Sequence, residues 1–132
     1  MGQTFFDDDW CFCCGRKNER GLKLDFWFEG EEYVTKFVPG KEFQGFADIV
    51  HGGILALLLD EVMARSLWVR GRRYVTAELT VRLHRPAPVG QELTFRARVV
   101  RDRPRVVHME ARCLGPEGTV LASASGKLLP VP

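Results

Sequence analysis

The chain lacks both an excess of charge and a long hydrophobic run. Its 19 Lys and Arg residues are nearly matched by 17 Asp and Glu residues, which gives a formal net charge of +2 at pH 7. Because this balance provides no general attraction to polyanions or anionic lipids, we expect no nucleic-acid partner and no membrane partner. The longest aliphatic run, Ile54 to Leu59, is far too short to cross a bilayer, and the acidic start at residues 6–9 is unlike a secretory signal. We therefore expect a cytoplasmic protein.

Cysteine is scarce and unevenly placed. The four cysteines lie at positions 11, 13, 14 and 113, a poor layout for two separate disulfides, which indicates a reducing compartment. Cys11 and Cys14 form a C-x-x-C that would supply half of a zinc site, but no second cysteine pair and no H-x-x-x-H follows it. The alternative is a turn whose small buried thiols lead into the first strand, with Cys113 in the core. We expect no bound metal and no organic cofactor.

Repeats, low-complexity tracts and interdomain linkers are also missing from the sequence. A chain of 132 residues suits one domain that buries about two-thirds of its unfolded surface, and it leaves no room for a second catalytic domain. We predict a single domain over residues 1–132, with an irregular lead-in over residues 1–21.

Alternation of apolar and polar residues predicts six strands, because side chains in a half-buried strand repeat with a period of two. In the third strand, this alternation puts Val75 and Leu79 on one face and Thr76 on the other. Turn residues separate the segments. The predicted strands span residues 22–29, 33–38, 74–84, 93–99, 106–114 and 119–129.

One helix is predicted over residues 52–69, where Gly71 would supply a left-handed cap at its end. The helix has almost no polar face, so it must be covered nearly all round. These elements predict an α+β hotdog fold, in which an antiparallel sheet of five to six strands wraps around one long central helix.

A carboxylate inside the apolar helix is the first candidate functional group. Asp60 follows a run of leucines, and ionised groups rarely occupy such positions unless they are paired or functional. The second candidate is the glycine pair Gly52-Gly53, since free amides at a helix start form a site for a developing negative oxygen.

Helix geometry separates these two candidates. Asp60 follows Gly53 by seven positions, so the two project within about 20° of each other but about 10.5 Å apart along the axis. One small carbonyl cannot touch both, which predicts a site shared between two copies across a two-fold interface. Glu61 projects about 80° from Gly53, and we expect it to form a salt bridge instead.

Several motifs together resemble one known family. The chain is similar to acyl-CoA thioesterases of the hotdog superfamily, in the phenylacetate-pathway (PaaI-like) branch, over essentially the whole domain. The glycine pair alone is weak evidence; its combination with the Asp60 spacing and the strand order is specific. The matching segments are Cys11-x-x-Cys14-Gly15, Asn18-x-x-Gly21-Leu22, Phe43-Gln44-Gly45, His51-Gly52-Gly53 with Asp60 nine residues after the histidine, and Arg85-Pro86-x-Pro88-x-Gly90.

The resemblance implies a catalytic role for five residues. Asp60 would be the catalytic carboxylate, acting either as general base or as nucleophile. The amide of Gly52 or Gly53 would polarise the thioester carbonyl. Thr76 would orient the nucleophile through its hydroxyl, and Gln44 would position the carbonyl or the water. The structural alternatives are a loop or arginine partner for Asp60, an ordinary strand position for Thr76, and a hydrogen bond of Gln44 within its own loop.

Five further residues are candidates for substrate binding. His51 is expected to anchor the loop beside the substrate, while Phe46 and Ile54 would wall a tunnel for an acyl or aryl group, unless core packing is their role. Arg103 and Arg105 either bind the phosphates of a nucleotide-bearing thiol or form a solvated hairpin tip.

The leading hypothesis is hydrolysis of an acyl-CoA or related thioester to a free acid and a thiol. Its partners would be a small-molecule acyl thioester and a second copy of the chain, with a homodimer as the minimum unit and a tetramer also compatible. A non-catalytic acyl-thioester binding or regulatory module is the alternative. A hotdog dehydratase ranks third, because such enzymes use a His and an acidic residue on other elements.

Overall fold

One long helix lies against a six-stranded sheet in the computed structural model, which describes residues 5–132 of the chain. A short 3₁₀ turn at Lys41–Phe43 follows the second strand. The elements in chain order are β1 (Phe26–Glu29), β2 (Glu32–Phe37), α1 (Gly52–Trp68), β3 (Tyr74–Leu83), β4 (Leu93–Asp102), β5 (Val107–Leu114) and β6 (Val120–Pro130).

The sheet confirms the predicted α+β hotdog architecture. Its strand order is β1-β2-β4-β5-β6-β3, and every neighbouring pair is antiparallel. The helix connects β2 to β3 and packs against β2 to β6. The two edge strands of the sheet, β1 and β3, differ in length, with four residues in β1 and ten in β3.

The helix buries most of its surface on this sheet. The inner faces of β4 and β5 carry the buried alternation that the sequence predicted, with Phe95 and Met109 among the largest buried side chains. On β6, Gly126 makes room for the helix, because a Cβ there would lie 3.2 Å from Met63 Cε. The buried helix residues are Leu55, Leu58, Leu59, Val62, Met63, Ser66 and Leu67.

Both helix ends agree with the prediction to within one residue. Gly71 has a φ of 79°, in the left-handed region that terminates helices, and its amide bonds the carbonyl of Trp68. Within α1, only Gly53 is exposed to solvent. Across residues 5–132, no helix combines the length and the apolar character that a bilayer crossing requires.

The first strand begins four residues later than predicted. The amides of Leu22 and Leu24 bond the carbonyls of Phe12 and Cys13 instead of a neighbouring strand, at 2.8 and 2.9 Å. Lys23, between them, has a φ of 51°, which a strand does not tolerate. The irregular lead-in therefore extends to residue 25, and its first four residues lie outside the described part of the chain.

A bulge in β3 changes which side chains face the helix. Thr76 pairs with Leu128 and Leu79 pairs with Gly126, so that Ala77 is the extra residue between two regular stretches. Directly paired residues share a face, and Gly126 contacts the helix, so Thr76 and Leu79 both lie on the helix side. The sequence predicted Thr76 on the face opposite Leu79. This prediction was wrong, because strict alternation assumes a strand without a bulge.

Candidate functional site

Asp60 and Thr76 meet between the helix and the edge strand. The Thr76 hydroxyl donates a hydrogen bond of 2.7 Å to Asp60 Oδ1. Both side chains are half-buried, Asp60 in the middle of α1 and Thr76 next to the bulge in β3. The two residues that the resemblance had linked are thus in direct contact, and the hydroxyl fixes one of the two carboxylate oxygens.

His51 caps the start of the helix. Its Nδ1 accepts a hydrogen bond of 2.9 Å from the Gly53 amide, and its backbone carbonyl accepts from Ile54 and Leu55. Since Nδ1 is an acceptor here, the ring proton is on Nε2. The cap engages the Gly53 amide, whereas among residues 5–132 no acceptor bonds the Gly52 amide. Of the two amides that the sequence left open, Gly52 is the one without an acceptor in the described part of the chain.

A shallow pocket of about 310 Å³ lies beside this helix start. It brings together four of the residues predicted from sequence, with the alkyl side chain of Ile54 next to the exposed backbone of Gly53. Phe46 lies outside it and is 85% exposed. The lining residues are Glu42, Phe43, Gln44, His51, Gly53 and Ile54.

Gln44 lines this pocket but is turned into its own loop. Its Oε1 accepts hydrogen bonds from the Asp48 amide at 3.0 Å and from Lys41 Nζ at 3.1 Å. These contacts match the structural alternative for Gln44, which was a hydrogen bond within its own loop. Within one chain, the side-chain amide of Gln44 therefore holds the loop that precedes the helix.

The helix start and the carboxylate are separate within one chain. Gly52 and Asp60 are eight residues apart on a continuous helix, which places them about 12 Å apart along the axis. Asp60 does not line the pocket at the helix start. The two candidate groups therefore lie at different points along the same helix.

The hairpin between β4 and β5 lies near Thr76. Tyr74, two residues before Thr76, donates a hydrogen bond of 2.9 Å from its hydroxyl to the carbonyl of Pro104. Arg103 and Arg105 flank this proline and are exposed. This hydrogen bond ties the hairpin carrying both guanidinium groups to the strand that carries Thr76.

Glu61 does not form the predicted salt bridge with any residue from 5 to 132. Its Oε2 instead bonds the thiol of Cys11, with 3.4 Å between sulfur and oxygen. Burial, together with the neighbouring Cys11, raises the pKa of the Glu61 carboxyl to about 7. The sequence prediction failed because the lead-in covers this face of the helix, while the neighbouring cation, Arg65, pairs with Asp7 at 3.5 Å.

Sequence reasoning also missed a group of potential metal ligands. Ligand atoms of Cys11, Cys14 and Glu61 all lie within 4.8 Å of one another. The C-x-x-C motif indicates half of a zinc site. The carboxylate that joins it is that of Glu61, 47 residues after Cys14. A second acidic residue directly after Asp60 in an apolar helix was the available signal. Cys113 is buried in the core as predicted, and all four cysteines are free thiols.

The curated proteins to which this chain is similar include acyl-coenzyme A thioesterases. The chain is 28% identical over 99 residues to the acyl-coenzyme A thioesterase THEM5 of Mus musculus, covering 73% of this chain and 39% of that protein. The chain spans less than half the length of the curated relatives it matches.

Solved structures support the fold independently. The PaaI protein of E. coli, from the phenylacetic acid degradation operon, superposes with a TM-score of 0.78 at 20% identity, covering 84% of this chain and 81% of that one. A hypothetical thioesterase of Streptococcus pneumoniae TIGR4, solved with coenzyme A, gives a TM-score of 0.76 at 16% identity, with 82% and 85% coverage.

The family follows from the sequence profile. Residues 47–122, which contain the helix, Asp60 and Thr76, match the profile of the thioesterase superfamily. This match covers more than half of the chain, and the hotdog fold of residues 5–132 agrees with it. The chain belongs to the thioesterase superfamily.

Proposed function

We propose that this protein hydrolyses acyl-coenzyme A thioesters to a free acid and a thiol, with Asp60 as the catalytic carboxylate. The observation that carries the proposal is the 2.7 Å hydrogen bond between Thr76 and Asp60 Oδ1. The hydroxyl orients this half-buried carboxylate, and no arginine or lysine of residues 5–132 forms an ion pair with it. Such a group is suited to attack on a carbonyl, directly or through a water molecule.

The reaction needs little beyond this carboxylate and an electrophilic amide. Because Thr76 holds Oδ1, we assign Oδ2 either to deprotonate the attacking water or to attack the thioester carbon itself. In the first route water adds to the thioester carbon, the carbon–sulfur bond breaks, and the acid is released directly with an oxygen from water. In the second route loss of the thiolate leaves an anhydride between Asp60 and the acyl group, which a water molecule then hydrolyses to the free acid and the Asp60 carboxylate. In both routes the departing thiolate takes a proton. The Gly52 amide would donate to the carbonyl oxygen as negative charge develops on it.

We assign the two groups of one site to two copies of the chain. A separation of about 12 Å along a rigid helix prevents Gly52 and Asp60 of one chain from reaching the same carbonyl group. Phe46 and Gly53, both exposed beside the helix start, would be covered by the second copy. In a two-fold dimer each helix start would face the Asp60 of the partner, which gives two equivalent sites.

Strand β3 is the surface on which we expect the copies to meet. It is a ten-residue edge strand, and Leu79 and Leu83 are 36% and 58% exposed. Long apolar edge strands pair with other chains unless charges or bulges protect them. Pairing of β3 with its symmetry mate would bury these leucines and bring two Asp60–Thr76 pairs towards one interface.

Coenzyme A is the thiol carrier that the proposal requires. The S. pneumoniae neighbour was solved with coenzyme A, and the curated relatives carry the name acyl-coenzyme A thioesterase. Arg103 and Arg105, on the hairpin tied to β3 through Tyr74, provide two exposed guanidinium groups for the nucleotide phosphates. Ile54 and Phe46, beside the helix start, would contact the acyl group.

We predict that Asp60→Asn abolishes turnover, because an amide neither accepts a proton nor attacks the thioester. Thr76→Val, which removes only the hydroxyl, should lower kcat by about ten- to a hundredfold, whereas Thr76→Ser should retain most of it. Thiol release from a panel of acyl-CoA esters measures these rates. Glu92→Gln, an exposed carboxylate paired with Lys36, is the control and should leave kcat unchanged.

Two outcomes of that assay would contradict the proposal. Near wild-type kcat in the folded Asp60→Asn protein would remove this carboxylate from the mechanism. Acyl-CoA binding by the wild-type protein without any thiol release across the panel would favour the non-catalytic binding module. Circular dichroism and thermal melting establish that each variant is folded.

We predict that Leu83→Glu separates the dimer into single chains and abolishes turnover, because each chain would bury a charged carboxylate at the β3 edge. Light scattering should give twice the mass of one chain, or a larger even multiple, for the wild type. Val100→Glu is the matched control, since Val100 is 54% exposed on β4 and outside the proposed interface. A wild-type mass of one chain at assay concentration would contradict the shared site.

We predict that the double variant Arg103→Gln with Arg105→Gln raises KM for acyl-CoA esters by about tenfold, through loss of charge-assisted hydrogen bonds to phosphate. KM for N-acetylcysteamine esters, which have no nucleotide, should not change. Arg98→Gln, which removes a guanidinium paired with Glu110 at 3.1 Å, serves as the control. An unchanged KM for both ester types would assign the arginines to a solvated hairpin tip.

A further inference from the structure

The lead-in loop and the helix bring two thiols and a carboxylate to one point. Cys11 and Cys14 come from a tight turn of the lead-in, and Glu61 comes from the middle of α1. Their ligand atoms all lie within 4.8 Å of one another, and Cys11 Sγ is 3.4 Å from Glu61 Oε2. All three side chains are half-buried, so the group is neither a solvated surface cluster nor sealed in the core.

These distances fit a tetrahedral metal ion. With zinc–sulfur bonds of about 2.3 Å and a zinc–oxygen bond of about 2.1 Å, neighbouring ligand atoms lie about 3.6–3.8 Å apart. The observed sulfur–oxygen distance of 3.4 Å needs only a small outward movement to reach this value. A pair at the outer limit of 4.8 Å would close by about 1 Å. Two thiolates with one carboxylate form a donor set that suits zinc better than calcium or magnesium, which take oxygen ligands.

The turn that carries the thiols is held by its own backbone. The Gly15 amide bonds the carbonyl of Cys11 at 2.8 Å. A Cβ on Gly15 would lie 2.5 Å from both Asp9 O and Cys11 N, so this position accepts only glycine without a backbone shift. Because Glu61 lies on a rigid helix, the three ligand atoms are positioned before any ion binds, and the cost of ordering them is small.

A solvent route leads to the three ligands. They border an open cleft of about 600 Å³ between the lead-in and the C-terminal half of α1. Arg65, the cation beside this cleft, pairs with Asp7 at 3.5 Å, so it is engaged elsewhere. Cys13, the remaining thiol of the turn, is 1% exposed and packs in the core.

We propose that Cys11, Cys14 and Glu61 bind one zinc ion, with a water molecule from the cleft as the fourth ligand. The ion would tie the lead-in to the helix, and it would neutralise a half-buried carboxylate that has no arginine or lysine partner among residues 5–132. Glu61 projects about 100° away from Asp60, so the zinc site is separate from the catalytic carboxylate. Its role would be to stabilise the fold, and its test does not depend on thioester hydrolysis.

The experiment uses Co²⁺ as a spectroscopic substitute for zinc. The full chain is reduced, stripped with a chelator, and titrated with Co²⁺ without excess thiol. We expect one equivalent to bind with thiolate-to-cobalt charge-transfer absorption, and one equivalent of Zn²⁺ to displace it. Cys11→Ala and Cys14→Ala should each lose most of this absorption, whereas Glu61→Gln should keep it but bind Co²⁺ at least tenfold more weakly. Cys113→Ala, which removes the core thiol, should match the wild type.

A second measurement, on the wild-type protein, tests the zinc site even if a variant fails to fold. Because zinc would bind the folded chain, one equivalent of Zn²⁺ should raise the thermal midpoint of the stripped wild-type protein, and a chelator should reverse the rise. Absence of charge-transfer absorption in the wild type would overturn the proposal. It would also be overturned if Cys14→Ala bound Co²⁺ with the same spectrum and affinity as the wild type, or if Zn²⁺ left the thermal midpoint unchanged.

Discussion

A carboxylate in the middle of an apolar helix must find a hydrogen-bond donor, and the site depends on how this chain meets that requirement. Burial of an unsatisfied ionised group costs more free energy than most single contacts return. Thr76 satisfies Asp60 at 2.7 Å, and it can do so because the bulge at Ala77 turns its side chain towards the helix. The central helix, the edge strand and the proposed chemistry are therefore joined by one hydrogen bond.

The rigidity of that helix separates the two groups that the proposed reaction needs. Gly52 at its start and Asp60 in its middle are fixed about 12 Å apart, and no loop movement in one chain can bring them together. The exposed edge strand β3, with its apolar side chains, gives a second copy a place to bind. A two-fold dimer would explain both the long uncovered edge strand β3 and the separation of Gly52 from Asp60.

The sequence predicted most of the fold because periodicity reports burial directly. The helix, the inner faces of β4 and β5, and the Gly71 cap were all confirmed. Three features of the structure could not be predicted from the periodicity of the sequence. Alternation cannot detect a bulge, so Thr76 was assigned to the wrong face. Leu24 has the apolar character of a strand residue, but its amide bonds the lead-in. Glu61 was expected to find a cation, but tertiary folding placed a cysteine thiol against it.

Subunit complementation tests the divided site most directly. Gly52→Pro removes one amide at the first helical position, where the fixed φ of proline suits a helix. Gly52→Ala is the matched control, because both variants add a Cβ 2.7 Å from Leu83 Cδ1 but only alanine keeps the amide. Co-expression of Asp60→Asn chains with Gly52→Pro chains should restore about a quarter of wild-type turnover per chain, because each mixed dimer has one intact site. The two variants alone should be inactive. No recovery in demonstrated mixed dimers would contradict a site built from two chains.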